Sequence, residues 1–216
     1  MDTLAARQQM VDQQIRTWEV LDPRVLDALS MVPREAFVPP QYRELAFADA
    51  PIPIGLGQTM LPPKLQGRIL QALGVAATDD ALEIGSGTGY LAAVLSLLGS
   101  STRSLDIHPQ FTMNATANLR SIPAARVDFQ TRDAFSAAAL GEFDVIAVTG
   151  SLPVYDSRFE RSLRVGGRLF AIVGTAPVMD AILVRRVDQT EWIRESLFET
   201  VIEPLINATA AQEFVF

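Results

Sequence analysis

The sequence predicts an α/β fold: a doubly wound, mostly parallel seven-stranded sheet with an N-terminal helical extension. Three observations predict it. Ala81 to Ile84 is a short apolar run that stops at Gly85, Gly87 and Gly89 and is followed by the helix-like stretch Tyr90 to Leu98, a succession that encodes a strand, a tight turn and a helix start. From residue 80 onward strand-like and helix-like stretches alternate, the pattern of a parallel sheet with helices on both faces. Hydrophobic residues make up 49% of the 216 positions, enough for a sizeable core.

Taken in order, residues 1–78 form the extension and residues 79–216 the α/β unit, the two packing as one structure. Gln8 to Arg16 is a candidate helix. Asp22-Pro23 reads as an N-cap followed by proline at the first helical position, and Val25, Leu26 and Leu29 then form one apolar stripe that ends at Pro33. Phe37, Tyr42 and Phe47, with Pro39 and Pro40, suggest a loop-rich layer packed on a core. Residues 51–61 carry two prolines and two glycines and read as an extended strand or shaped loop; Pro62-Pro63 opens a helix through Leu65, Ile69, Leu70 and Leu73 that stops at Gly74. After the glycine triplet come strands at Thr102 to Asp106, Arg126 to Gln130, Phe143 to Val148, Gly167 to Val173, Ala181 to Val187 and Leu197 to Ile202. Helices are expected at Gln110 to Leu119 and Val154 to Leu163.

Composition narrows the chemistry. A net charge of -7 without any basic run argues against nucleic acid as a partner. The chain has no cysteine, which removes disulfides, thiolate metal sites and a cysteine nucleophile, and no metal ligand set is expected. No apolar run suits a membrane span and Met1 to Met10 resembles no signal peptide, so the cytoplasm is the expected compartment. The single histidine, His108, precedes Pro109 in a strand-to-helix loop. It reads as a solvated loop residue or as a neighbour of a cofactor edge, and histidine acid-base chemistry is not expected.

The glycine spacing points to a ligand. A dinucleotide fingerprint wants its third glycine at Tyr90; here it comes one residue early, at Gly89, and Glu83 precedes the turn. An acidic residue beside bare backbone suits a cofactor without phosphates, and S-adenosyl-L-methionine, with its ammonium, carboxylate and sulfonium groups, is the common one. Ligands of doubly wound sheets lie at the carboxyl ends of the strands. Asp106 ends the second strand, where a carboxylate can accept from ribose hydroxyls; Asp133 follows the third, where it can meet an adenine amino group; Thr149 to Pro153 faces the same crevice.

The chain also resembles the protein-L-isoaspartate O-methyltransferases, a Rossmann-like class I methyltransferase family. The resemblance shows in Met10-Val11-Asp12-Gln13-Gln14, Asp22-Pro23-Arg24-Val25-Leu26, Val32-Pro33-Arg34-Glu35-Ala36-Phe37-Val38-Pro39 and Ile54-Gly55-Leu56-Gly57-Gln58-Thr59. It continues through the glycine loop, Thr149-Gly150-Ser151-Leu152-Pro153 and Leu163-Arg164-Val165-Gly166-Gly167-Arg168-Leu169. The resemblance implies methyl transfer from S-adenosyl-L-methionine to the free carboxylate of L-isoaspartyl residues in damaged proteins; the sequence does not give the oligomeric state, for which a monomer is the expectation. It implies that Gln58, Thr59, Met60, Leu61 and Gln66 border cofactor and acceptor, that Glu83, Gly85, Gly87 and Gly89 hold the methionine portion, that Asp106 holds the ribose and that Asp133 and Ala134 hold the adenine, with Ser86, Tyr90, Ile107 and Thr149 also at the cofactor. Thr59 and Leu61 stand at the catalytic positions.

Two departures bear on the acceptor. The family's Gln-Thr-Ile-Ser appears as Gln58-Thr59-Met60-Leu61, so Leu61 replaces a serine; the family's Pro-Leu-Thr appears as Pro204-Leu205-Ile206. Both changes make the expected site more apolar, and they leave open a family member that methylates a less polar, small-molecule acceptor, or a non-catalytic cofactor-binding protein.

Overall fold

The computed structural model describes residues 2–136 and 139–210. The first residue of the expected extension and the last six of the expected α/β unit therefore lie outside the described residues. The extension begins with α1 (Thr3–Met10), capped by the Asp2 carboxylate, which accepts from the Leu4 and Ala5 amides. A π-helical turn (Val11–Ile15) and a 3₁₀ turn (Arg16–Trp18) continue it. The helix expected at Gln8 to Arg16 thus starts earlier, because Asp2 supplies a cap, and changes winding midway. In α2 (Pro23–Met31), Asp22 caps the Arg24 amide and Pro23 occupies the first turn. A short antiparallel hairpin, β1 (Ile52–Gly55) and β2 (Gln58–Met60), then leads into α3 (Pro63–Leu73), which ends at Gly74 in the left-handed conformation.

The main sheet follows: β3 (Asp80–Ile84), α4 (Tyr90–Leu98), β4 (Ser101–Asp106), α5 (Pro109–Asn118), β5 (Asp128–Thr131), β6 (Phe143–Leu152), α6 (Ser157–Arg161), β7 (Leu163–Thr175), β8 (Val178–Arg186) and β9 (Trp192–Thr200). Its seven strands lie in the order β5-β4-β3-β6-β7-β8-β9. The first five pair in parallel, and β7, β8 and β9 form an antiparallel meander. Three expected bounds move for one reason, strand pairing across positions that locally read as loop. β6 runs on to Leu152 because, past a bulge, Ser151 and Leu152 pair with Ile172 and Val173. β7 starts at Leu163, opposite Phe143, so the expected helix from Val154 to Leu163 contracts to α6.

Alternation along the central strands separates two apolar layers. Ala81, Val145, Ala147, Phe170 and Ile172 pack toward α3, α4 and the extension; Leu82, Ile84, Ile146, Val148 and Leu169 pack toward α6 and the loops around it. The chain winds from β3 outward to β5 and then returns to β6 on the other side of β3. That reversal leaves a crevice over the carboxyl ends of β3, β4 and β6.

Candidate functional site

The bend after β3 shapes the floor of this crevice. Gly85, Gly87 and Gly89 all have positive φ (98°, 48° and 83°), and a Cβ on Gly85 would collide with Thr149 Oγ1, whose hydroxyl donates to the Ile84 and Gly85 carbonyls at 2.9 and 2.8 Å. Gly89 serves a different purpose. It backs onto Ala115 and Phe129, where a Cβ would stand 2.8 Å from the Ala115 Cβ, and it does not line the crevice. Its smallness lets α4 and α5 approach.

Two connected spaces lie above the bend. The larger holds about 710 Å³, open solvent included, and is bordered by Ile54, Gln58, Thr59, Leu61, Gly85, Gly87, Asp106, Ile107, His108, Asp133, Ala134, Thr149, Ile202, Leu205 and Ile206, among others. The smaller, about 330 Å³, is bordered by Met60, Gln66, Glu83, Ser86 and Tyr90. Thr59, Leu61, Gly85, Gly87 and Thr149 belong to both, so the spaces meet there. Every residue expected to border cofactor or acceptor except Gly89 lines one space or the other, whereas of the stretch Thr149 to Pro153 only Thr149 and Gly150 do.

Each acid has a distinct setting. The Asp106 carboxylate accepts from the Gly87 amide (3.0 Å) and the His108 amide (2.9 Å), which fixes it against the glycine bend while each oxygen keeps a further lone pair. Asp133 accepts from the Phe135 amide (2.8 Å) and from Asn207 Nδ2 (2.9 Å). Glu83 is 1% exposed and accepts from Ser104 Oγ at 2.5 Å, and Ser104 in turn meets Ser86 Oγ at 2.6 Å. Burial pushes the Glu83 carboxyl up to about 8, and the neighbouring Asp106 adds to the rise. With no ion-pair partner among the described residues, a carboxyl in the wall of a recess is suited to meet a cation.

Further residues complete the walls or brace them from behind. His108 is not a solvated loop residue: its Nε2 is shielded, its ring meets Phe111 edge-on at 5.3 Å, and it borders the larger space. The segment after β9 folds back, with Ser151 donating to the Glu203 carbonyl (2.9 Å) and Leu205 donating to the Ser151 carbonyl (3.0 Å), so Leu205 and Ile206 close one side. Arg34 is fully buried. Its Nε donates to the Ala46 carbonyl (2.8 Å), Nη2 to the Leu61 carbonyl (2.8 Å) and Nη1 to Gln66 Oε1, while its guanidinium lies 5.0 Å from the Tyr90 ring centroid. Burial lowers it to about 10, which leaves it a cation at neutral pH. Among the described residues there is no group of three or more His, Cys, Asp or Glu placed to hold a metal ion, and no helix long and apolar enough to cross a membrane.

The sheet order and the glycine bend with its strand-end carboxylates define a class I methyltransferase fold. A description of the protein-L-isoaspartate(D-aspartate) O-methyltransferases matches residues 5–209, and the chain belongs to that family. It is 35% identical over 202 residues to the protein-L-isoaspartate O-methyltransferase of Koribacter versatilis, covering 93% of this chain and 90% of the relative. It is 34% identical over 206 residues to that of Rhodopseudomonas palustris, covering 94% of each. In fold it is similar to a Plasmodium falciparum protein described as a protein-L-isoaspartate O-methyltransferase and crystallised with S-adenosyl-L-homocysteine, with a TM-score of 0.82 at 17% identity over 92% of this chain and 97% of the other.

Proposed function

We propose that this protein transfers a methyl group from S-adenosyl-L-methionine to the free carboxylate of L-isoaspartyl residues in damaged proteins. The observation that carries the proposal is the pair of connected spaces meeting at Thr59, Leu61, Gly85, Gly87 and Thr149. The larger sets apolar Ile107, Ala134 and Leu205 beside the Asp106 and Asp133 carboxylates, a lining that suits a nucleoside. The smaller ends at the buried Glu83, a partner for an amino-acid ammonium.

When bound, the cofactor supplies a methyl group on a cationic sulfur. The chain's own residues do the rest. Gly85 and Gly87 offer bare backbone to the methionine portion, Asp106 accepts from ribose hydroxyls, and Asp133 and Ala134 flank the adenine. An isoaspartyl carboxylate, with an ordinary pKa of about 4, is already an anion at neutral pH and needs no general base. This agrees with a site whose only histidine has its Nε2 turned into the protein. What remains for the protein is alignment and exclusion of water, and Thr59 and Leu61 stand where acceptor and cofactor meet. The substrate's backbone amide nitrogen then attacks the methyl ester and expels methanol to close a succinimide, which water reopens in part to the normal aspartyl linkage. In this reading the extension (1–78) supplies Ile54, Thr59 and Leu61 to the acceptor side and Gln66 to the cofactor side, while the α/β unit (79–216) supplies the carboxylates that face the cofactor and also Leu205 and Ile206 at the mouth.

A second reading, a less polar acceptor, is favoured by Ile54, Leu61, Leu205 and Ile206, which make the shared mouth apolar. Labelled methyl transfer to an isoaspartyl peptide and to its aspartyl isomer separates the two. Label entering the isoaspartyl peptide alone is the expected result; a protein that binds S-adenosyl-L-homocysteine yet labels neither peptide overturns the acceptor assignment.

A further inference from the structure

Arg34 lines neither space, yet its guanidinium reaches three residues that do. Leu61, at the junction of the spaces, gives it a backbone carbonyl; Gln66, on α3, gives it a side-chain oxygen; Tyr90, the first residue of α4 beyond the glycine bend, gives it a ring face. A planar group with its donors in a fixed fork holds these three in one geometry, as a flexible ammonium could not. The fourth partner, the Ala46 carbonyl, anchors the fork to the extension. We infer that Arg34 is a positioning residue for methyl transfer: it locks Leu61, the residue just after β2, onto the helix that follows the glycine bend, and so sets the register between acceptor and cofactor. The inference rests on the methyltransferase reading above.

Arg7 provides the contrast. It too is a buried arginine of the extension, but it donates to the Ser30 carbonyl (3.1 Å) and to Glu35 (2.5 Å); neither partner lines either space, although its charge is felt at Tyr90. Replacing either arginine loosens the fold. Arg34 differs in that its hydrogen bonds run to Leu61 and Gln66, residues that line the spaces.

The test compares Arg34→Lys, Arg34→Met and Arg7→Met. Lysine keeps the charge but can serve only part of the fork, and it keeps the test available where the methionine variant does not fold. In folded Arg34→Lys, turnover of an isoaspartyl peptide at saturating cofactor is expected to fall by about 100-fold, the scale of an ångström of misalignment. Affinity for S-adenosyl-L-homocysteine, by calorimetry, is expected to stay within about threefold. Arg7→Met is expected to melt lower yet turn over within about twofold of the parent.

Amide hydrogen exchange supplies the arm that needs no substrate: Arg34→Lys is expected to lose protection over residues 58–62 and at the start of α4, whereas Arg7→Met loses it in α1 and α2. Wild-type turnover in Arg34→Lys with unchanged exchange overturns the inference, as does an equal loss of turnover in Arg7→Met. A parent protein silent toward the peptide, combined with the local loss of protection in Arg34→Lys, sinks the methyltransfer reading and leaves the locking role in place.

Discussion

The two walls of the crevice are built by different means. The wall formed by β3, α4 and β4 is short-range: a glycine bend, an acid two residues before it, and the next strand's terminal aspartate tied to the bend through the Gly87 amide. The opposite wall, formed by the β1–β2 hairpin and the residues after it, contributes Ile54, Leu61 and the neighbouring Ile206, and is held from behind by Arg34. The first wall presents charge and bare backbone; the second presents hydrocarbon. This division teaches where the two specificities of a transferase reside, since a sulfonium nucleoside needs fixed polar partners while the choice of acceptor depends on what stands at the mouth.

The comparison can be broken most decisively at Gly85. Its φ of 98° and its proximity to Thr149 leave no place for a methyl, so Gly85→Ala must displace the threonine and its two hydrogen bonds. Affinity for S-adenosyl-L-homocysteine is expected to fall by about 100-fold or more, measured by calorimetry. Unchanged affinity would show that the bend is only a turn.

Glu83 sharpens the contrast by separating ligand binding from stability. A buried acid pushed up to about 8 keeps its proton in the folded chain over a range where the unfolded chain has lost it. Stability without ligand therefore declines as pH rises from about 4.5 to about 8. Glu83→Gln is expected to remove that part of the decline, so the variant melts above the parent at pH 8. It is also expected to bind S-adenosyl-L-homocysteine about 10- to 100-fold more weakly, for want of a charged partner to the ammonium. Thermal melts across pH check the first, calorimetry the second, and a variant less stable than the parent at pH 8 would contradict the burial argument.

The smallest effect is expected on the apolar wall. Leu61→Ser restores a hydroxyl where the two spaces meet and is expected to raise kcat/KM for an isoaspartyl peptide by about tenfold, the value of one hydrogen bond to a charged acceptor. A decrease would show that the leucine is itself matched to its acceptor.

Much of the first wall was legible in the chain because its determinants are neighbours in sequence. An apolar run meeting spaced glycines specifies β3 and the bend almost alone, and β4 is placed to within a residue. The second wall was not legible in the same way. Arg34 lies inside a block that carries the family resemblance, but its partners at Ala46, Leu61 and Gln66 are remote in sequence. Nothing local signals that a guanidinium will be fully buried there. The bounds of β6 and β7 failed for a related reason: Thr149-Gly150-Ser151 and Gly166-Gly167 have loop composition, and only pairing across the sheet, with Pro204 bridging Ser151, makes them strand. His108 was given two readings, and the environment that chose between them is tertiary.

One apolar cluster runs from Met10, Val25 and Phe37 through Leu70 and Leu91 to Phe170 and Ala181, with no seam at residue 78. Grafting the hairpin and its preceding helices from a relative, in order to import that relative's taste in acceptors, would carry half of a shared interior into a host cut for a different half. Retargeting this scaffold is therefore better attempted one rim position at a time than by cassette exchange.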